Sequence, residues 1–159
     1  MSTTVAPGNN LAPTSSPGTS NQLEVWLQWE YVQGNWWLWF ADQWVGYFPG
    51  ALYNATGLQS QAATDGTQGE MADSNIFSTS PTDMGSGQFA SAGFGFAAYM
   101  RQISYFTSAG GFGAIAYTPT IVSVTSPGCY SHVANWGSVD PFYKSSFFYG
   151  GPGKSATCP

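Results

Sequence analysis

Gly34-Asn35-Trp36-Trp37-Leu38-Trp39-Phe40, then Trp44-Val45-Gly46-Tyr47-Phe48-Pro49, and beyond a polar stretch Gln68-Gly69-Glu70, form the part of the chain from which the rest can be placed. Aromatic and β-branched residues in short runs, bounded by Gly, Pro, Asn and Asp, predict strands rather than a helix. Upstream, Leu23, Val25, Leu27, Trp29 and Tyr31 alternate with Gln22, Glu24, Trp26, Gln28 and Glu30, the period of a half-buried strand. Gln33-Gly34-Asn35 turns that strand into Trp36 to Ala41, whose bulky residues on both faces suit a central strand covered on each side. Asp42-Gln43 makes the next turn, into Trp44 to Phe48. Three sequential strands joined by short turns give an antiparallel meander, the expected centre of a sheet, with the carboxylate of Glu70 following it.

Outward from the meander, Met1 to Asn21 is rich in Ser, Thr, Pro and Gly and is expected to be a loosely structured leader or first-strand region. Residues 22–159 then form the domain proper. Ala51 to Leu58 is the one plausible short helix, with Leu52 and Ala55 on one side, and Asn54-Ala55-Thr56 has the form of a glycosylation acceptor. Ala97 to Phe106 reads as a strand, and Gly113 to Tyr117 and Thr120 to Thr125 as two more, split by Pro119. After Cys129 the chain reads as loop until Ser146 to Tyr149. About eight short strands with no long amphipathic helix predict an all-β, antiparallel sandwich.

Composition narrows the function. A chain of 159 residues suits one domain with a real core. Charged residues are only 7%, Lys+Arg 3 against Asp+Glu 8, for a net charge of -5. Nucleic acid is not an expected partner, because phosphate binding needs a basic patch and only Arg101, Lys144 and Lys154 are available. A surface solvated by Ser, Thr, Asn, Gln and Gly tolerates acid, which points to an acidic or extracellular setting. Cys129 and Cys158, in a Lys-poor chain, favour one disulfide over two separate buried thiols, which would contribute roughly 3.6 kcal/mol in the chain-entropy account. No stretch approaches the ~18 apolar residues that span a bilayer, so no membrane partner is expected. Nor does the N-terminus have the layout of a secretory signal; the expectation is a signal already removed or a reading frame beginning inside a longer protein.

Most catalytic kits are poorly supplied. A structural metal site takes about four His, Cys or carboxylate ligands, and one His with two distant Cys does not make the common sets. A serine or cysteine nucleophile would have to use His132, the single histidine, as its base. No Gly-rich phosphate loop precedes a helix. No cofactor or metal is therefore expected. Carboxylates remain: of two acids held close, one keeps its proton and can protonate a leaving group while the other activates water. By composition alone Glu70, Asp65, Asp73, Asp83, Glu24 and Glu30 are equal candidates.

The order of motifs separates them. Gly34-Asn35-Trp36-Trp37-Leu38, Val45-Gly46-Tyr47-Phe48-Pro49, Gly69-Glu70-Met71, Met84-Gly85-Ser86-Gly87-Gln88-Phe89, Cys129-Tyr130, and Phe148-Tyr149-Gly150-Gly151-Pro152-Gly153 with Cys158-Pro159 resemble, in the same order, the motifs of the neprosin domain. The resemblance runs from about Val5 to the end. It implies an antiparallel β-sandwich and a secreted glutamic peptidase that cleaves after proline in acid, with a peptide or protein substrate. Glu70 falls at the family's Gly-Gly-Glu motif, which carries one of two catalytic glutamates; Gln68 replaces its first glycine. The positions of Cys129 and Cys158 match a family disulfide. Trp37, Tyr47 and Gln68 are the expected substrate contacts.

In the family the other catalytic glutamate lies well upstream of the Trp-Trp-Leu motif. Glu24 and Glu30 fall on strand positions just before that motif and do not match it. The resemblance therefore implies the C-terminal part of a neprosin-type domain, with half of a glutamic pair, inactive unless the partner acid is supplied from elsewhere. Missing upstream strands would leave unpaired sheet edges and favour self-association. The alternative is a non-catalytic module whose exposed aromatics bind proline-rich peptide or carbohydrate; a product without function is the third reading.

Overall fold

The computed structural model describes residues 6, 18, 27–59, 62, 68–69, 81–105, 115–116, 118, 124, 126–136, 140–154, 156 and 158. Eight strands run through them: β1 (Leu27–Val32), β2 (Asn35–Phe40), β3 (Gln43–Pro49), β4 (Ala98–Met100), β5 (Ser104–Tyr105), β6 (Ile115–Ala116), β7 (Ser131–Asn135) and β8 (Ser146–Gly150). They pair antiparallel in three small sheets, β1-β2-β3, β4-β8-β7 and β5-β6, with no α-helix among the described residues. The all-β class expected from the sequence stands. The described sheets do not define a closed sandwich.

The chain divides into two compact units, one built on residues 23–67 and the other on residues 68–159, with short N-terminal pieces shared between them. In the first, β2 is the centre of the meander, as its sequence requires, and all six of its residues are half-buried. Both hairpins close through two-residue loops. Gln33 and Gly34 have φ of 51° and 80°, Ala41 and Asp42 of 48° and 63°. Positive φ at both loop positions is the type I′ geometry whose twist matches that of paired strands. Register then fixes the faces. Trp29 lies opposite Leu38, Tyr31 opposite Trp36 and Trp36 opposite Phe48 on one face. On the other, Gln28 lies opposite Trp39, Glu30 opposite Trp37 and Trp37 opposite Tyr47. A bulge between Leu38 and Trp39 brings Trp44 opposite Trp39.

The second unit holds the best-buried core. Cys129, Tyr130 and Cys158 are buried together, with Met84 and Val124 packed against them. Cys129 and Cys158 form a disulfide, their Cα atoms 5.1 Å apart. Tyr130 Oη donates to the Thr82 carbonyl at 3.0 Å. β8 is the middle strand and carries buried Ser146 and Phe147; full burial of a ring such as Phe147 contributes roughly 1.5–3 kcal/mol. At the end of β8 the chain runs tightly against its neighbours through two glycines. Gly150 and Gly151 have φ of 147° and 157°, and Gly151 pairs with Met84 in an isolated bridge. A Cβ on Gly151 would overlap the Cys129 carbonyl.

Four expectations are corrected. The helix over Ala51 to Leu58 is a single 3-10 turn at Gly50–Leu52 followed by turns. Asn54 and Gly57 interrupt it, and Leu52 is 70% exposed, so the segment buries no apolar side there. The strand over Ala97 to Phe106 is two strands in different sheets, because Gln102 takes a φ of 56° and its N–H turns to the Tyr143 carbonyl. The loop expected between Cys129 and Ser146 contains β7, whose register with β8 runs from Ser131 opposite Gly150 to Asn135 opposite Ser146. Leu27 and Trp29, expected on the buried side of β1, are exposed. The leader over 1–21 apart from Ala6 and Gly18, the strand residues Gln22 to Trp26, and the strand over Thr120 to Thr125 apart from Val124 lie outside the described residues.

Candidate functional site

Glu70 itself lies outside the described residues, as do Glu24, Asp65 and Asp73. Its immediate neighbour does not. Gly69 is half-buried against the Tyr149 ring, so close that a Cβ there would overlap ring carbons, and Met84 Sδ is the next contact. Gln68, just before, is exposed. The glycine preceding the glutamate is thus required by contact: any side chain at 69 would push the segment off the tyrosine.

Tyr149 stands in a row across the second sheet, with Ala98 of β4 on one side and His132 of β7 on the other. Directly paired residues share a face, so His132, Tyr149 and the Gly69 contact belong to one side of this sheet. His132 Nδ1 is buried there without a hydrogen-bond partner among the described residues. Burial pushes the Tyr149 phenol above its ordinary value of 10.0, because the ionised form would lose its solvation. Through acid and neutral pH that side chain is therefore a hydrogen-bond donor. The opposite side is occupied by rings: Tyr99 and Phe148 at 5.9 Å, Phe94 against Tyr99 and Phe142 at 5.5 Å each, and the Arg101 guanidinium 4.1 Å above Phe142. Sequence reading weighed His132 only as a base for a nucleophile and did not single out Tyr149; the signal for both was cross-strand position, which appears only once β7 is paired with β8.

Of the expected substrate contacts, Trp37 and Tyr47 are brought together, their ring centroids 4.8 Å apart. They belong to the first unit, and Gln68 to the second. Trp37 also meets Trp44 at 5.8 Å, and Trp44 meets Trp39 at 5.0 Å, both edge to face. Trp36, the neighbour of Trp37, faces the other way and donates its Nε1–H to the Leu58 carbonyl. Asn54, in its acceptor-form tripeptide, is exposed.

These features define an all-β antiparallel protein, pinned near its C-terminus by a disulfide, in which Gly69 abuts Tyr149 of β8. The family model described as Neprosin matches residues 1–152, and the chain belongs to the neprosin family. The resemblance carried by the motifs is thereby borne out. Family and disulfide are compatible with an extracellular protein, and no helix among the described residues is long and apolar enough to cross a membrane.

Proposed function

We propose that this chain contributes Glu70 to the acid–base chemistry of a secreted glutamic peptidase that cleaves peptides after proline in acid. The observation that carries the reading is the family match over residues 1–152, which includes the Gln68-Gly69-Glu70 segment. Seating of Gly69 on Tyr149 supports it, because that contact requires a glycine at the position that precedes the glutamate in the motif. In such chemistry an ionised carboxylate takes a proton from water as the water attacks the scissile carbonyl. A second, protonated acid gives its proton to the departing amine. Neither step needs a metal or a histidine.

Glu70 is one acid of the pair. Glu30 is exposed on β1 opposite Trp37, at a strand position that the family motif does not use for catalysis. We assign the second acid to neither Glu30 nor Glu24 and take it from a further polypeptide segment, as the motif resemblance implies. The test is to incubate the chain with proline-containing peptides between about pH 3 and 5, where one carboxylate of a coupled pair is protonated, alone and with an upstream neprosin-domain segment added. Mass spectrometry then maps the new termini. Cleavage on the carboxyl side of proline is the expected result; cleavage without regard to proline, or none in either condition, would contradict the reading.

A further inference from the structure

The meander has two chemically different faces. One is mostly apolar, with Leu27, Trp29, Tyr31, Trp36, Leu38, Phe40 and Phe48, and carries the polar Gln43 opposite Phe40 at its end. The other combines a contiguous row of rings, Trp37, Trp39, Trp44 and Tyr47, with three polar side chains, Gln28, Glu30 and, at its end, Asn35. Two of the three stand directly opposite a tryptophan: Gln28 opposite Trp39, Glu30 opposite Trp37. Directly opposed Cβ atoms lie about 4.5–5.5 Å apart, and successive positions on one face of a strand about 7 Å. Two tryptophan–acceptor pairs therefore repeat along the sheet at roughly the scale of one sugar ring. Tyr47 is 45% and Trp44 38% exposed, so the row presents ring surface to solvent.

We infer that this face is a binding platform for a neutral, extended polysaccharide of the β-1,4-linked kind. Such a chain offers flat C–H faces, which bury against aromatic rings, and hydroxyl donors along its edges, which the Glu30 carboxylate and the Gln28 amide oxygen accept. Charge agrees with a neutral ligand. Between residues 23 and 67 the charged residues are Glu24, Glu30, Asp42 and Asp65, with no lysine or arginine, so an anionic polymer is repelled. A polyproline helix would stack on the same rings, but it has no N–H or O–H to give. It would cover the exposed Glu30 carboxylate with a ligand that has no donors, which costs solvation and returns no hydrogen bond. The test of the platform reads binding rather than hydrolysis.

Isothermal titration with cellohexaose is the experiment, using the full chain, with a proline decapeptide and hexagalacturonate as comparison probes. Saturable binding of cellohexaose is expected, weakened at least tenfold by Trp44→Ala and by Tyr47→Ala. Phe48→Ala, on the opposite face, should leave it unchanged. Each variant is compared at matched far-ultraviolet circular dichroism, and Trp44→Phe, which keeps a ring, should retain most of the affinity. Absence of saturation at millimolar cellohexaose would overturn the inference. So would tighter binding of the proline peptide or of hexagalacturonate, or equal losses from Phe48→Ala and Tyr47→Ala.

Discussion

Gly151 and Tyr149 show how single residues in the closing motif act through contact. Gly151 combines a φ of 157° with a backbone neighbour, the Cys129 carbonyl, where a Cβ would have to be. Gly151→Ala is expected to destabilise the chain by about 3 kcal/mol, the sum of backbone strain and displaced packing beside the disulfide; denaturant unfolding checks it. Tyr149 gives a pH prediction. Its phenol is raised above 10.0 by burial, so the unfolded chain releases that proton first as pH rises. The stability that goes with the neutral phenol is fully present below about pH 10 and is lost as pH climbs toward and through the folded value. Tyr149→Phe should flatten the alkaline fall in unfolding free energy above pH 10 and leave the acid limb as it is. An unchanged alkaline limb would mean that the tyrosine is not desolvated. Neither residue's role could be read from the sequence beyond its membership of a motif, because both depend on which segments lie across from β8.

At the scale of elements, the sequence was most informative where local chemistry and pairing agree. Aromatic runs separated by short turns predicted β1, β2 and β3, and the structure closes them with two-residue type I′ loops at 33–34 and 41–42. Ala41 is a poor residue for that geometry, since an alanine with φ of 48° crowds its own Cβ. Ala41→Asn should stabilise the meander by about 1 kcal/mol, measured by thermal unfolding; a destabilised variant would contradict the loop assignment. β7 was missed for the opposite reason. Ser131, Ala134 and Asn135 have little intrinsic preference for a strand, and pairing with β8 decides their conformation. The break after Met100 was missed because the alternation of Tyr99, Arg101, Ile103 and Tyr105 continues through a residue, Gln102, whose backbone turns left-handed to reach Tyr143. Periodicity records which side a residue would face if the strand continued, and does not reveal where the hydrogen bonds stop.

For the molecule as a whole, order of motifs was a better guide than composition. The all-β class followed from short aromatic strands and turn residues, whereas the six carboxylates considered were indistinguishable until Gly69-Glu70-Met71 was placed between the Trp-Trp-Leu and Met-Gly-Ser-Gly motifs. The disulfide of Cys129 and Cys158 ties the closing segment to the buried core of the second unit. The meander, by contrast, leaves Leu27, Trp29 and Phe48 at 60%, 47% and 50% exposure, a distribution that the alternation in β1 did not anticipate. The central claim concerns Glu70. It is tested most directly by the rate of cleavage of one proline-containing peptide near pH 4, with the partner segment present, by the wild-type chain and by Glu70→Gln. The account predicts a loss of at least about 100-fold, the scale of a general acid–base contribution; equal rates for the two proteins would contradict it.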